Sequence, residues 1–151
     1  MPADSEPRLP QTFRPFGVRI VILVTSVLLL VVVLVMWVSL PADIRAEFTA
    51  FQLATLVLIG AGFYAAGHAL ARSRVVARAE GLTIVNGYRT RSFEWNEVLS
   101  VTLRSGAPWA ELDLSDGTTV AAMGIQGSDG QRAVRQVREV RALVARLTRP
   151  A

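Results

Sequence analysis

The chain changes its hydrophobic pattern as it goes. Residues 20–40, IVILVTSVLLLVVVLVMWVSL, carry no charge. At about 1.5 Å of helix per residue, that run matches the roughly 30 Å hydrocarbon core of a bilayer. Its many β-branched residues favour strands in water. In lipid only a helix satisfies its own backbone over this length, so the run predicts a membrane-spanning helix. Residues 41–48, PADIRAEF, are a short polar break in which Pro41 stops the first helix, and Asp43 or Thr49 is placed to cap the next. Residues 49–71 form a second uncharged run. A cleaved leader has an apolar core of about 7–15 residues. The first run is longer and a second follows at once, so two retained spans are expected.

The second span is richer in small residues. Gly60, Gly62, Ala66 and Gly67 are among them, and pairs such as Gly62 with Ala66, or Ala61 with Ala65, have the small-xxx-small spacing that lets helix backbones approach closely. Packing on the first span is the first expectation for this face, and a homo-oligomer contact is the second. His68 is the one residue in either run whose side chain ionises near neutral pH. A proton path needs several such groups facing each other, so His68 is expected at the interface or bonded to a neighbouring helix.

Past residue 74 the pattern becomes short alternating runs separated by turn signals. RVVARA, LTIV, YRTRSFEW, EVLSVTLR, WAELDL and TTVAAM read as six strands joined by hairpins. Asn86 and Gly87 read as the two central residues of a tight turn. In WAELDL, Ala110, Leu112 and Leu114 share one face while Trp109, Glu111 and Asp113 share the other, as in a sheet with one wet face. After GIQGSDG the period changes to that of a helix. Ala133, Val137, Val140, Val144 and Leu147 make an apolar stripe with Val134 and Leu143 beside it, and Asp129 or Ser128 is expected as its cap. The predicted architecture is a two-helix transmembrane hairpin followed by a mainly-β domain. Residues 1–17, with their prolines and scattered charges, are expected to be a disordered cytoplasmic tail. Residues 18–71 form the hairpin, and residues 72–151 form the soluble domain.

Composition and charge add topology. The mean hydropathy of +0.40 is high for a soluble domain and comes from the first half. All 16 basic residues are arginine, and the formal net charge is +4. Arg8, Arg14 and Arg19 precede the first span, Arg45 alone lies between the spans, and Arg72, Arg74, Arg78, Arg89 and Arg91 follow the second. By the positive-inside rule both termini are cytoplasmic, in a multi-pass protein of the plasma membrane. The charge is thereby accounted for without a nucleic-acid partner. With no cysteine, disulfides and thiolate chemistry are excluded, and a single histidine offers no zinc cluster.

The order R-V-x-A-x-x-x-G-L-x-x-x-N-G-x-R-T-R, then W-x-E-V, then P-W-A-x-L-x-L-x-D-G, then a terminal helix, spans about residues 74–147. It resembles the bacterial PH-like domain family of small actinobacterial two-span membrane proteins, of the mycobacterial low-molecular-weight protein antigen type. Gly81, Leu82, Asn86, Gly87, Arg89, Arg91, Trp95, Pro108, Trp109 and Gly117 carry the resemblance. It implies a PH-like fold: a bent antiparallel sheet of six or seven strands capped by a C-terminal α-helix. It implies no reaction. The Lys/Arg motif that many lipid-binding eukaryotic PH domains carry between their first strands is not matched.

Chemistry in the soluble half is sparse. Glu111 and Asp113 project to one strand face without a partnering His or Lys, and Glu94 and Glu97 flank Trp95 in a turn. No nucleophile elbow or phosphate loop occurs. No catalytic residue, metal ligand or cofactor is therefore expected, and the chain is read as a non-enzyme. Arg72, Arg74, Arg78, Arg89 and Arg91 are the expected membrane-surface or lipid-contacting residues, each basic group near an anionic leaflet contributing about 1 kcal/mol. Trp109 is the candidate partner-binding aromatic. Arg132, Arg135, Arg138 and Arg141 are expected to be a solvated helix face. The leading functional expectation is a membrane-anchored interaction or scaffold module that recruits a protein partner at the inner leaflet. The alternatives are an anionic-lipid-sensing domain and an accessory subunit of a membrane enzyme or transporter.

Overall fold

The computed structural model describes residues 8–148. Two helices dominate the first half, α1 (Phe16–Ser39) and α3 (Ala50–Arg72), with one short helix, α2 (Ala42–Ala46), in the polar break. Both long helices are long and apolar enough to cross a membrane, and none of the apolar window in either is buried. Thr49 caps α3: its hydroxyl accepts the Gln52 N–H, and the Gln52 side chain accepts the Thr49 N–H in return.

The rest is two antiparallel sheets and a helix. Strands β1 (Gln11–Phe13), β2 (Arg74–Ala77), β3 (Gly81–Asn86) and β4 (Arg89–Glu94) form one sheet in that order. Strands β5 (Val98–Thr102), β6 (Trp109–Leu114) and β7 (Thr119–Gln126) form the other. Helix α4 (Gln131–Leu147) packs its buried Ala133, Val137, Val140 and Leu143 into the shared core with Phe13, Leu82, Ile84, Val101, Leu112 and Ile125. The sheets come close where β7 crosses β2. A Cβ on Gly124 would lie 2.6 Å from the Arg74 backbone, so the crossing requires a glycine there.

All six strands expected from the alternating runs are present, and the seventh comes from before α1. Gln11, Thr12 and Phe13 pair with Ala77, Val76 and Val75, and Phe13 is 3% exposed. The expectation of a tail over 1–17 is corrected accordingly. Gln11–Phe13 is a strand, Pro15 is fully buried, and α1 already begins at Phe16; residues 1–7 lie outside the described residues. The physical reason is that β2 would otherwise be a bare edge over an apolar core. The soluble domain is thus not the contiguous stretch 72–151. The hairpin of α1 and α3 is inserted between β1 and β2, in the place a turn would take.

The tight turn also differs by one residue. Asn86 pairs with Arg89, so the central residues are Gly87 and Tyr88. Only Gly87 has positive φ, +59°, the glycine-first pattern of a II′ turn. Asn86 instead reaches across to β7: its amide N–H₂ donates to the Ala121 carbonyl at 2.6 Å and its Oδ1 accepts the Met123 N–H at 3.0 Å. Trp95 sits buried in the 3-10 turn between the sheets, and its Nε1–H donates to the carbonyls of Arg78 and Ala79.

Candidate functional site

The chain enters and leaves the helical hairpin at one place, the root where the domain begins. Asp129, expected as the cap of α4, serves α1 instead. Its carboxylate accepts the backbone N–H of Phe16 and of Gly17, each at 2.9 Å. Free N–H groups at a helix start favour a carboxylate, and Asp129 supplies one from more than a hundred residues downstream. Gly130 takes the cap position of α4 without a side-chain bond. Arg132 lies over the Phe16 ring, 5.0 Å from its centroid. At the other helix end, the Arg19 Nε–H donates to the Ala71 carbonyl at 2.8 Å, tying α1 to the last turn of α3. Buried Ser73 donates to the Ala69 carbonyl and accepts the Gly87 N–H, which pins the β3–β4 turn to α3.

Tyr88 extends that contact along the helix. Its hydroxyl donates to the Ala65 carbonyl at 3.2 Å and lies 3.1 Å from His68 Nδ1. Arg72 stacks on the other part of the ring, 5.3 Å from the centroid. His68 therefore bonds the domain's hairpin rather than a neighbouring helix.

The five expected surface arginines do not form one cluster. Arg72 ends α3, Arg74 starts β2, and Arg89 starts β4 beside the turn, so these three lie at the root. Arg91 follows Arg89 on the same strand face, opposite Ile84. Arg78 lies past the far end of β2, about 13 Å from Arg74 at the usual strand rise. It lines a separate polar hollow of about 370 Å³ with Glu80, Glu94 and Glu97. Between α3, the β3–β4 hairpin and β7 runs a larger cleft of about 590 Å³. Ala66, Ala69 and Leu70 form its helical wall; Val120, Ala121 and Met123 form its floor from β7; Arg89 and Arg91 stand on its β4 side.

The remaining candidates are dispersed. Trp109 is half-buried at a bulge before Ala110, opposite Gln126. A Cβ on Gly67 would approach Ile22 of α1 at 3.1 Å, so Gly67 lies on the helix–helix contact. Gly60 and Gly62 face open space and Ala66 lines the cleft. The carboxylates have local partners. The Asp113 carboxylate accepts the hydroxyls of Ser100, at 2.6 Å, and Thr119, at 3.0 Å, and these bonds hold it below its ordinary pKa of 3.8. Asp116 is lowered likewise by the Thr118 N–H and hydroxyl. Glu111 stands 4.0 Å from Arg104, and Glu97 accepts the Glu94 N–H. In α4, the Arg141 Nε–H donates to the Val101 carbonyl, so part of the arginine row braces the sheet.

Tyr88 carries no local signal in the sequence that selects it, and the local signal at Asp129 points to α4 rather than to α1. Tyr88 acts on α3 and Asp129 on the start of α1, contacts that only the closed fold makes.

Two antiparallel sheets, seven strands and a capping helix define a PH-like domain. Residues 72–143 match the family described as the bacterial PH domain. Uncharacterized proteins of Mycobacterium tuberculosis and Mycobacterium bovis are 39% identical to the chain over 99 residues, 64% of this chain and 64% of each relative. The match thus spans less than two thirds of those relatives. No solved structure matches the chain.

Proposed function

We propose that the chain is a two-span membrane protein that holds its PH-like domain at the cytoplasmic face of the plasma membrane, where β4 recruits a protein partner. Exposed apolar helices of this length need lipid around them. A soluble protein's core helix would be buried, and these are not. A removable leader would take β1 and core residue Phe13 with it. The β1–β2 pairing keeps the segment before α1 and the domain after α3 on one side of the hairpin, and the arginine counts argue that this side is cytoplasmic. No catalysis is assigned to the chain.

The observation that carries recruitment is the state of β4. It is the terminal strand of its sheet, and five of its six residues are exposed. A two-residue hairpin closes on a hydrogen-bonded pair, here Asn86 and Arg89, so Thr90, Ser92 and Glu94 direct their backbone groups outward. The Glu94 N–H accordingly bonds the Glu97 side chain rather than β3. Such an edge accepts an added strand. A photo-crosslinking residue at Thr90, in the full chain in its own membrane, is expected to give one discrete adduct that is lost on Ser92→Pro. The same probe at Arg138 on α4 is expected to give none. Adducts from both positions, or from neither, would remove this reading.

A further inference from the structure

We propose that the protein strand recruited at β4 runs antiparallel to it and has a fixed charge pattern: carboxylates opposite Arg89 and Arg91, an apolar residue opposite Phe93 and a basic residue opposite Glu94. The proposal rests on the reading of β4 as a recruiting edge and names the chemistry of what that edge selects.

Direction and face come first. Every pairing in the sheet that β4 ends is antiparallel, and the antiparallel ladder is the more stable one, so an added strand continues it. A residue of that strand shares a face with the β4 residue it opposes, about 5 Å away. Arg89, Arg91 and Phe93 point to one face of β4, and Thr90, Ser92 and Glu94 to the other. Charge comes second. Among the described residues, no carboxylate lies within 4.0 Å of Arg89 or Arg91, and no arginine lies within 4.0 Å of Glu80, Glu94 or Glu97. Glu94 and Glu97 each accept the other's backbone N–H, which fixes both carboxylates without cancelling their charge. With Glu80 they line the polar hollow of about 370 Å³ at that end of the strand, three carboxylates to the one guanidinium of Arg78. The edge is therefore positive where β4 leaves the root and negative at its far end. A strand of the opposite polarity meets both ends.

This pattern also selects against other occupants. Two copies paired along β4 cannot use it: Arg89 and Arg91 lie on the opposite face from Glu94, so in a self-pair neither arginine opposes that glutamate. Cytoplasmic segments beside a span are rich in Lys and Arg. Such a segment would set like charge against Arg89 and Arg91 at the root, so the edge rejects the sequences most common around it. On β5, the terminal strand of the other sheet, the Val101 carbonyl is already taken by Arg141 of α4.

Two synthetic peptides, acetylated and amidated, test this on the full chain in detergent micelles, with binding read from backbone amide shifts. Arg-Val-Thr-Glu-Thr-Glu carries the proposed pattern in antiparallel order, and Glu-Val-Thr-Arg-Thr-Arg has its charges exchanged. The first is expected to shift the Thr90, Ser92 and Glu94 amides and to bind about tenfold more tightly than the second, three cross-strand charge pairs each contributing about two- to threefold. Arg89→Glu with Arg91→Glu, two exposed positions, is expected to reverse the preference. Equal affinity of the two peptides at those amides would keep β4 as an edge that accepts a strand and overturn the charge pattern. A preference accompanied by shifts elsewhere than β4 would also overturn it. Absence of shifts with either peptide up to millimolar concentration would remove the recruiting edge itself. Loss of the same amide signals on raising the protein concentration without peptide would show a second copy on β4 and overturn the proposed partner.

Discussion

The carboxylate of Asp129, which lies between β7 and α4, accepts the Gly17 backbone N–H at the start of α1. One residue of the domain thereby caps a helix of the hairpin, and the two halves of the chain are joined by more than their covalent links. Asp129→Ala is expected to destabilise that junction by about 0.5–2 kcal/mol, the usual cost of a lost cap. Gly17→Ala should act on the same contact, since a Cβ there would come 2.7 Å from Asp129 Oδ1. Combining the two should cost less than their sum, because both remove one interaction. Hydrogen exchange at Phe16 and Gly17 in the detergent-solubilised chain checks this, and additive effects would show that the carboxylate is not the shared partner.

Phe13 is the second tie, and the larger one. It is buried against the core and sits in the strand that covers the β2 edge. Phe13→Ala is expected to cost about 3–5 kcal/mol, the range for a buried aromatic truncation. Residues 72–151 expressed alone lack β1, so their β2 amides should exchange faster than in the full chain. Equal protection of Val75 and Ala77 in both forms would show that β1 is dispensable.

What the sequence exposed and what it hid divide along the range of the interaction. α1, α3, the six later strands and α4 follow from local periodicity, because each buries or exposes a face set by its own residues. β1 is three residues between prolines and becomes a strand only through β2. Asp129 sits where a local cap of α4 belongs, and nothing nearby reveals that α1 starts beside it. The turn moved by one residue because Asn86 is held by β7, a partner in the other sheet. Of the arginines, Arg78 is close to the rest in sequence, but strand direction carries it to the far end of β2. The cleft itself was not legible, since its walls come from three separated segments.

Asp113 gives an acid dependence with a definite sign. Its folded pKa lies below 3.8, first because of the Ser100 hydroxyl and then that of Thr119. A depressed carboxylate contributes stability that is fully present above the unfolded pKa and lost as pH falls through the folded one. The difference in stability between wild type and Asp113→Asn should therefore be constant from neutral pH down to about 4 and shrink below it. Urea unfolding across pH measures this. A difference that instead grows on acidification would mean that Asp113 is not held by those hydroxyls.

The insertion of the hairpin between β1 and β2 makes the sidedness of the chain a structural matter as well as a charge rule. Because Thr12 pairs with Val76, it must lie on the same side as Ser115 of the β6–β7 turn. Ala46, in α2, must lie on the other side if the helices span. The chain has no cysteine, so single replacements report cleanly. In intact cells an impermeant maleimide is expected to label Ala46→Cys and to spare Thr12→Cys and Ser115→Cys until the membrane is opened. The reverse pattern would keep the hairpin but place the domain outside, where the arginines at the root would meet the outer leaflet. Labelling of Thr12→Cys without Ser115→Cys would break the β1–β2 pairing itself, because no membrane can lie between two strands of one sheet.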